Sequence, residues 1–273
     1  YKNQIKKFPK HRIIFLLNTL EEYHYFKSKG INCKFINHNA FVDPNIFKPL
    51  NSIKEYDIIY NGRLEMVKRH YLLKSCENIS LLSASILRSD QTKIKYLNYL
   101  KKIIPNADLL NFDSPIKLNR LSSFENIPIL DPKGVSDAIN KAKIGVILSY
   151  KEGACYASME YLLSGVPIVS TANIGGRDIF FDKRFCKTSL SNSFSIKKSV
   201  SKLLNDNISS DFIRSVTLNK IQLHINKMKN LLEEIFLEYG VLNANIDEVW
   251  EKIYLNKMLK TSQKFPENFI RDI

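Results

Sequence analysis

The chain has 273 residues, 44% of them hydrophobic, with nine glycines and nine prolines, enough apolar material for one substantial core and too balanced for a disordered, collagen-like or low-complexity polypeptide. Lys and Arg number 41 against 27 Asp and Glu, a formal charge of +14, so an anionic partner is expected, whether a phosphate-bearing small molecule, an acidic membrane surface or nucleic acid. No apolar run approaches the roughly 20 residues of a membrane span, and no zinc-finger spacing, RNP-like strand or basic heptad helix accompanies the charge, which argues against nucleic acid.

The opening "YKNQIKKFPKHRIIFLLN" sets basic residues before an apolar stretch, but "TLEEYHYF" follows without a small-residue cleavage site, which argues against a signal peptide. "RIIFLL" (12–17) and "CKFIN" (33–37) read as strands, and the Tyr/Phe stripe of "EEYHYF" reads as core. Residues 1–40 are too few for a domain of their own, and the proline-bearing polar stretch 39–57 marks the one boundary. Beyond it come the strand candidates "YDIIY" (56–60), "ISLLSAS" (79–85), "ADLLN" (107–111), "IPIL" (127–130), "IGVILS" (144–149) and "PIVST" (167–171). Between them "TKIKYLNYLKKII" (92–104) and "SDAINKAK" (136–143) carry helical periodicity. Short apolar strands alternating with helices predict βαβ units and a Rossmann-like, doubly wound parallel α/β sheet. After Gly176 the pattern turns helical, with "SIKKSVSKLLND", a long stretch from about Asp211 to Tyr239 that Gly240 caps, and a last helix over 246–260 before a polar end. This tail is expected to pack across the outside of the sheet. Cys33, Cys76, Cys155 and Cys186 lie far apart with no C-x-x-C, against a zinc site and in keeping with a reducing cytoplasm.

The stretch "KEGACYASMEYLLSGVPIVST" (151–171) reads as a tight connection after a strand, then a helix over 154–164 that Gly165 and Pro167 stop. Glu152 therefore sits at the carboxyl end of a strand, and Glu160 about two turns along the helix. Ligands of open α/β sheets bind at that edge. Gly153 and Ala154 allow close approach, amides of the first helical turn can hold oxygen atoms, and the two carboxylates can grip two separate diols. On the blander reading Glu152 simply suits a helix N-terminus and Glu160 is an exposed helical glutamate. In "YDIIYNGRLEMVKRH" (56–70) a second strand end carries Asn61, Gly62, Arg63 and Lys68. Gly62 leaves room for a phosphate, Arg63 offers a planar fork and Lys68 a point charge. If both edges belong to one sheet, two cations face two carboxylates across a cleft suited to a nucleoside diphosphate joined to a sugar.

Together "NGRLEMVKRH", "EGACYASMEYLLSGVPIVST", "HNAFVDPNIFKPL" (38–50) and "GGRD" (175–178) resemble the donor-binding domain of retaining GT-B glycosyltransferases of family four, with its G-R-L…K loop and E-x(7)-E motif. The resemblance covers roughly residues 38–180. It implies a nucleotide-sugar donor, retention at the anomeric carbon, and no required metal or cofactor. Arg63 and Lys68 would act on the diphosphate, Glu152 on the donor sugar hydroxyls and Glu160 on the ribose, with Gly62, Gly153, Ala154 and Cys155 lining the donor. Glu152, Arg63 and Lys68 are the expected catalytic set. Cys155 stands where the family has a second glycine, which tightens or shifts the sugar pocket. The domains implied are a remnant of an N-terminal acceptor domain (1–40), the donor-binding domain (41–205) and C-terminal helices (206–273), with the acceptor side supplied by further sequence, a partner chain or an oligomer. The expected activity is that of a hexosyltransferase-type enzyme acting on a glycan or lipid-linked acceptor in surface polysaccharide biosynthesis. It would be cytoplasmic or peripheral at the inner face of the membrane. The alternatives are a non-catalytic nucleotide-sugar-binding subunit that needs a partner chain, and a basic nucleic-acid-binding protein. His38 and His70 flank the proposed cleft and are expected to be solvated; Cys155, in a first helical turn, would have a lowered thiol pKa. The Lys-rich segments 93–102 and 197–202 read as helix faces in water.

Overall fold

The computed structural model describes residues 2–9, 11–83, 91–123 and 127–251. Along the chain run α1 (Lys2–Lys7), β1 (Phe15–Leu17), α2 (Leu20–Ser28), β2 (Cys33–Phe35), β3 (Tyr56–Asn61), β4 (Ile79–Leu82), α3 (Gln91–Ile103), β5 (Asp108–Leu109) and β6 (Ile116–Lys117). They are followed by α4 (Pro132–Asn140), β7 (Ala142–Ile147), α5 (Tyr156–Leu163), β8 (Ile168–Thr171), β9 (Cys186–Ser189), α6 (Ser193–Asp206), α7 (Ser210–Glu238) and α8 (Ile246–Val249). The main sheet has the order β6-β5-β4-β3-β7-β8-β9, and its neighbours are parallel except for the β5–β6 pair. From β3 the chain builds outward through β4 and β5, then returns to β7 on the other side of β3 and builds the opposite way. The strand order therefore reverses between β3 and β7, which in doubly wound sheets opens a crevice at the carboxyl ends. β1 and β2 form a separate parallel pair.

Both faces of the central strands are covered, which is why β3, β4, β7 and β8 are largely apolar rather than alternating. Ile59, Ile147 and Ile168 pack with Met159, Leu162 and Ile213 on the α5 and α7 side. Their chain neighbours Ile58, Tyr60, Val146 and Val169 pack with Leu100 and Ile196 on the α3 and α6 side, as the two-residue period of a strand requires. Each fully buried Leu or Ile in these layers contributes roughly 1.5–3 kcal/mol. The helices start and stop on local signals. In α2 Thr19 Oγ1 accepts from the Glu22 amide (3.0 Å) while Glu22 accepts from the Thr19 amide (3.2 Å). Asp131 caps α4 through the Gly134 amide (2.7 Å), with Pro132 next to it at the first helical position. Gly165, at φ +70, ends α5, and Gly240, at φ +78, ends α7.

One glycine determines more than its own turn. A Cβ at Gly145 in β7 would lie 2.3 Å from the Tyr161 ring, so the missing side chain is what lets Tyr161 lie flat against the strand. Gly145→Ala is expected to cost about 1–3 kcal/mol through overpacking, read as a lower urea midpoint with unchanged m-value.

Several expectations are corrected. "IPIL" forms no strand; Asn111 Nδ2 donates to the Pro128 carbonyl (2.8 Å) and to the Ser83 carbonyl (2.6 Å), occupying the backbone with a side chain instead of a ladder. β6 is two residues long and β9, "CKTS", lacks an apolar run, so neither stood out. Helix α4 starts at Pro132, ahead of residue 136, and residues 142 and 143 belong to β7. The aromatic stripe of α2 is not core: the helix buries no residue and Tyr25 is 62% exposed, because a lone two-stranded pair offers little surface to cover it. Residues 84 and 85 of the predicted strand, the last helix beyond Glu251 and the polar end lie outside the described residues.

The long helix α7 fastens the chain together. Arg214 donates to the carbonyls of Pro44, Phe47 and Leu163, each at 2.7 Å. Further along, His224 Nδ1 accepts from the Asn37 amide (3.0 Å), and Glu234 pairs with Lys34 (2.9 Å).

Candidate functional site

The crevice between the ends of β3 and β7 receives side chains from both strand ends. Tyr60, on β3, points its hydroxyl to the Lys68 carbonyl (2.5 Å) and accepts from the Leu148 amide after β7 (3.2 Å), bridging the two walls. That places Lys68 Nζ in an ion pair with Glu152 Oε1, both side chains being 15% exposed. Gly62 leaves the space: a Cβ there would sit 3.1 Å from the Tyr60 ring and 3.8 Å from Lys68 Cδ. Arg69, at φ +55, donates to the Leu148 carbonyl and to Thr171 Oγ1, both at 2.5 Å, and so ties this loop to the ends of β7 and β8.

Glu160 does not face bulk water. Its residue is 8% exposed and its Oε2 accepts from Asn61 Nδ2 at 2.7 Å. Burial raises its carboxyl from 4.5 to about 7, against the opposing effect of the Asn61 hydrogen bond. The adjacent Tyr161 hydroxyl receives the Asn61 amide (2.5 Å) and donates to the Ile59 carbonyl (3.3 Å). Gly145, Tyr161, Asn61 and Glu160 thus form one chain of packing and hydrogen bonds that presents a titratable carboxylate at the head of β3.

The loop carrying Glu152 is held from behind. Glu152 N donates to the Ile174 carbonyl (3.1 Å) and Gly176 N to the Gly153 carbonyl (2.9 Å). Gly175, at φ +122, would place a Cβ 2.1 Å from the Glu152 carbonyl oxygen, so only glycine admits this approach. Arg177 has 0% exposure and donates to the Ser149 carbonyl (2.8 Å), the Thr171 carbonyl (2.5 Å) and Asp178. On the far side Asn37 Nδ2 reaches the carbonyls of Gly176 (2.8 Å) and Asn18 (3.0 Å), and Asn39 Oδ1 accepts from the Cys155 amide (3.0 Å).

The fold that carries these residues is found in solved structures. Sucrose-phosphate synthase from Thermosynechococcus elongatus superposes with a TM-score of 0.61 at 14% identity, over 82% of this chain and 59% of that one. HepE from Anabaena, solved with UDP and glucose, gives 0.61 at 12% identity over 85% and 66%. A glycosyltransferase from Rickettsia africae gives 0.58 at 15% identity over 86% and 67%. The fold is that of the GT-B glycosyltransferases. At these identities the likeness is one of fold, and the chain spans 59% of the length of the synthase it matches. No protein-family model and no curated protein sequence matches it.

Within the GT-B fold the expected residues divide. Lys68 and Glu152 meet at the switch point, with Gly62 beneath Lys68, and Glu160 stands on Asn61 at the end of β3. Gly153 is exposed, and a Cβ there would meet nothing nearer than Asn18 Nδ2 at 3.9 Å, so its face is open; Ala154 is half-buried beside it. Arg63 is 45% exposed and pairs with Glu65 at 3.5 Å, which in turn lies 3.8 Å from Lys93. Cys155 is the residue preceding α5 rather than part of its first turn, and burial pushes its thiol up to about 11 instead of down; its amide is occupied by Asn39. His70 is not solvated. It is fully buried against the Tyr60 ring, centroids 4.3 Å apart, and burial lowers it to about 3, leaving a neutral core histidine. His38 is half-buried, with its amide on Asn18 Oδ1 (2.9 Å). Sequence reasoning gave no individual role to Asn61, Tyr161, Asn37, Asn39, Arg69 or Arg177; of these, Asn61 carried a signal, a polar residue closing an apolar strand directly before Gly62. Among the described residues no cluster of three or more His, Cys, Asp or Glu is placed to hold a metal ion, and no helix is long and apolar enough to cross a membrane.

Proposed function

We propose that residues 41–205 form the donor site of a glycosyltransferase that moves a sugar, with retention, from a nucleoside-diphosphate sugar to a glycan or lipid-linked acceptor in surface polysaccharide assembly. One observation carries the reading: the end of β3 and the loop after β7, where the strand order reverses, hold a buried glutamate, Glu160, on Asn61 and a Lys68–Glu152 ion pair. A carboxylate kept in a dry site at a cost to the fold is better suited to gripping a ribose diol than to solubility. Lys68, with Arg63 swinging from the same loop, offsets the charge that gathers on the departing diphosphate. Glu152 accepts hydrogen bonds from the sugar hydroxyls, and the backbone at Gly153, Ala154 and Cys155 lines them. The bound molecules named for fold relatives, UDP with glucose in HepE and UDP with GlcNAc in the pneumococcal O-GlcNAc transferase GtfA, support this class of ligand. The formal charge of +14 supports an anionic acceptor or a membrane surface carrying it.

Calorimetric titration with UDP, GDP, ADP and dTDP tests the reading. One of them is expected to bind, and Lys68→Met is expected to weaken it by about 1.5–3 kcal/mol, as for a lost hydrogen bond to a charged group. A folded chain that binds none of the four, alone or as sugar conjugates, would overturn the donor-site reading.

A further inference from the structure

The Lys68–Glu152 pair has a bearing on which ligand the site prefers, if the donor-site reading above holds. We propose that Glu152 is a specificity-determining residue that makes the site favour a nucleoside-diphosphate sugar over the free nucleoside diphosphate. Lys68 and Glu152 neutralise each other, and each side chain is only 15% exposed. A free diphosphate that draws Lys68 to its phosphates leaves the Glu152 carboxylate without its cation, out of bulk water and facing the diphosphate's negative charge. A diphosphate carrying a sugar makes a balanced exchange. Lys68 trades a carboxylate for phosphate oxygens, while Glu152 trades an ammonium for sugar hydroxyls, which donate to it.

The neighbouring cations do not take over from Lys68. Arg69 spends its guanidinium on the Leu148 carbonyl and Thr171. Arg177 is sealed in, bonded to the Ser149 and Thr171 carbonyls and to Asp178. Arg63 stands toward solvent with Glu65. The partial burial of the pair is what gives the exchange its size, since a fully exposed carboxylate would replace its lost cation with water. Once the sugar has left, the remaining diphosphate is the species that fits this arrangement least, so Glu152 favours its release.

The test compares each free diphosphate with its conjugate on the full chain, by calorimetry with UDP, GDP, ADP, dTDP, UDP-glucose, UDP-N-acetylglucosamine, GDP-mannose, ADP-glucose and dTDP-glucose. For the base that binds, the wild type should hold a conjugate more tightly than the free diphosphate. Glu152→Gln should tighten the free diphosphate by about tenfold and weaken the conjugate by about tenfold, as for charge pairs at partly buried sites. Glu152→Ala should tighten the free diphosphate in the same way, which guards against a misfolded Gln variant. Equal effects on both ligands, or a free diphosphate that binds no tighter to either variant, would overturn the proposal while leaving the donor site standing. Absence of binding by the folded wild type to every ligand would overturn both.

Discussion

Glu160→Gln is expected to weaken nucleotide binding by about 100-fold while making the unliganded chain more stable at pH 8 by about 3 kcal/mol. The first effect follows from replacing a charged acceptor for ribose hydroxyls with a neutral amide, a loss of about 1.5–3 kcal/mol. The second follows from burial. The folded carboxyl titrates at about 7 against an ordinary 4.5, an interval that corresponds to about 3 kcal/mol. Below pH 4.5 the group is protonated in both states and the two proteins should be equally stable. As pH rises from 4.5 toward 7 the unfolded chain gives up its proton first, so wild-type stability falls relative to the variant; above about 7 the full difference is present. Gln retains an oxygen for Asn61 and carries no charge. Thermal melts from pH 4 to 9 with calorimetry at pH 8 would decide, and a variant that binds nucleotide like the wild type would sink the assigned role. For the wild type, nucleotide affinity should rise as pH passes through about 7, since the ionised carboxylate is the better acceptor.

Arg177→Met should be the most damaging single change away from the ligand, lowering stability by about 3–5 kcal/mol. The side chain has 0% exposure, and its removal leaves the carbonyls of Ser149 and Thr171 without donors at the ends of β7 and β8. Asp178 loses its cation but, at 33% exposed, can turn to water, so the carbonyls account for most of the cost. Because Arg177 follows the glycine pair that backs Glu152, nucleotide affinity should fall with stability. Urea unfolding measures the first and calorimetry the second; an unchanged urea midpoint would remove Arg177 from this role. Arg177→Lys keeps the charge but not the fork, and should recover only part of the loss.

The sheet was legible in the sequence because parallel strands covered on both faces are apolar runs, and "YDIIY", "IGVILS" and "PIVST" could hardly be anything else. The meeting of Lys68 with Glu152 was legible for the same reason, since each follows such a strand. What escaped were features set by packing rather than by spacing. The eight-residue interval put Glu160 on a helix but not on its buried face; the better clue was that "YASMEYLL" is apolar almost all round, so that its glutamate had no wet side to occupy. Arg177 was visible only as part of "GGRD", because its place is set by carbonyls that come together only when β7 and β8 are side by side. The polar Asn37 and Asn39 are buried for a comparable reason, each meeting groups more than 100 residues away.

Helix α7 imposes an order on synthesis. The Asn37 amide waits for His224, 187 residues later, and Lys34 for Glu234, 200 residues later. At a translation rate of about 5–20 residues per second, that delay is roughly 10–40 s. Throughout it the segment bearing β1 and β2 has emerged from the ribosome without its bonds to α7, while the contacts of Asn37 to Gly176 and of Asn39 to Cys155 can form earlier. Until α7 arrives, β1 and β2 are therefore more open to a chaperone or a protease than in the finished fold.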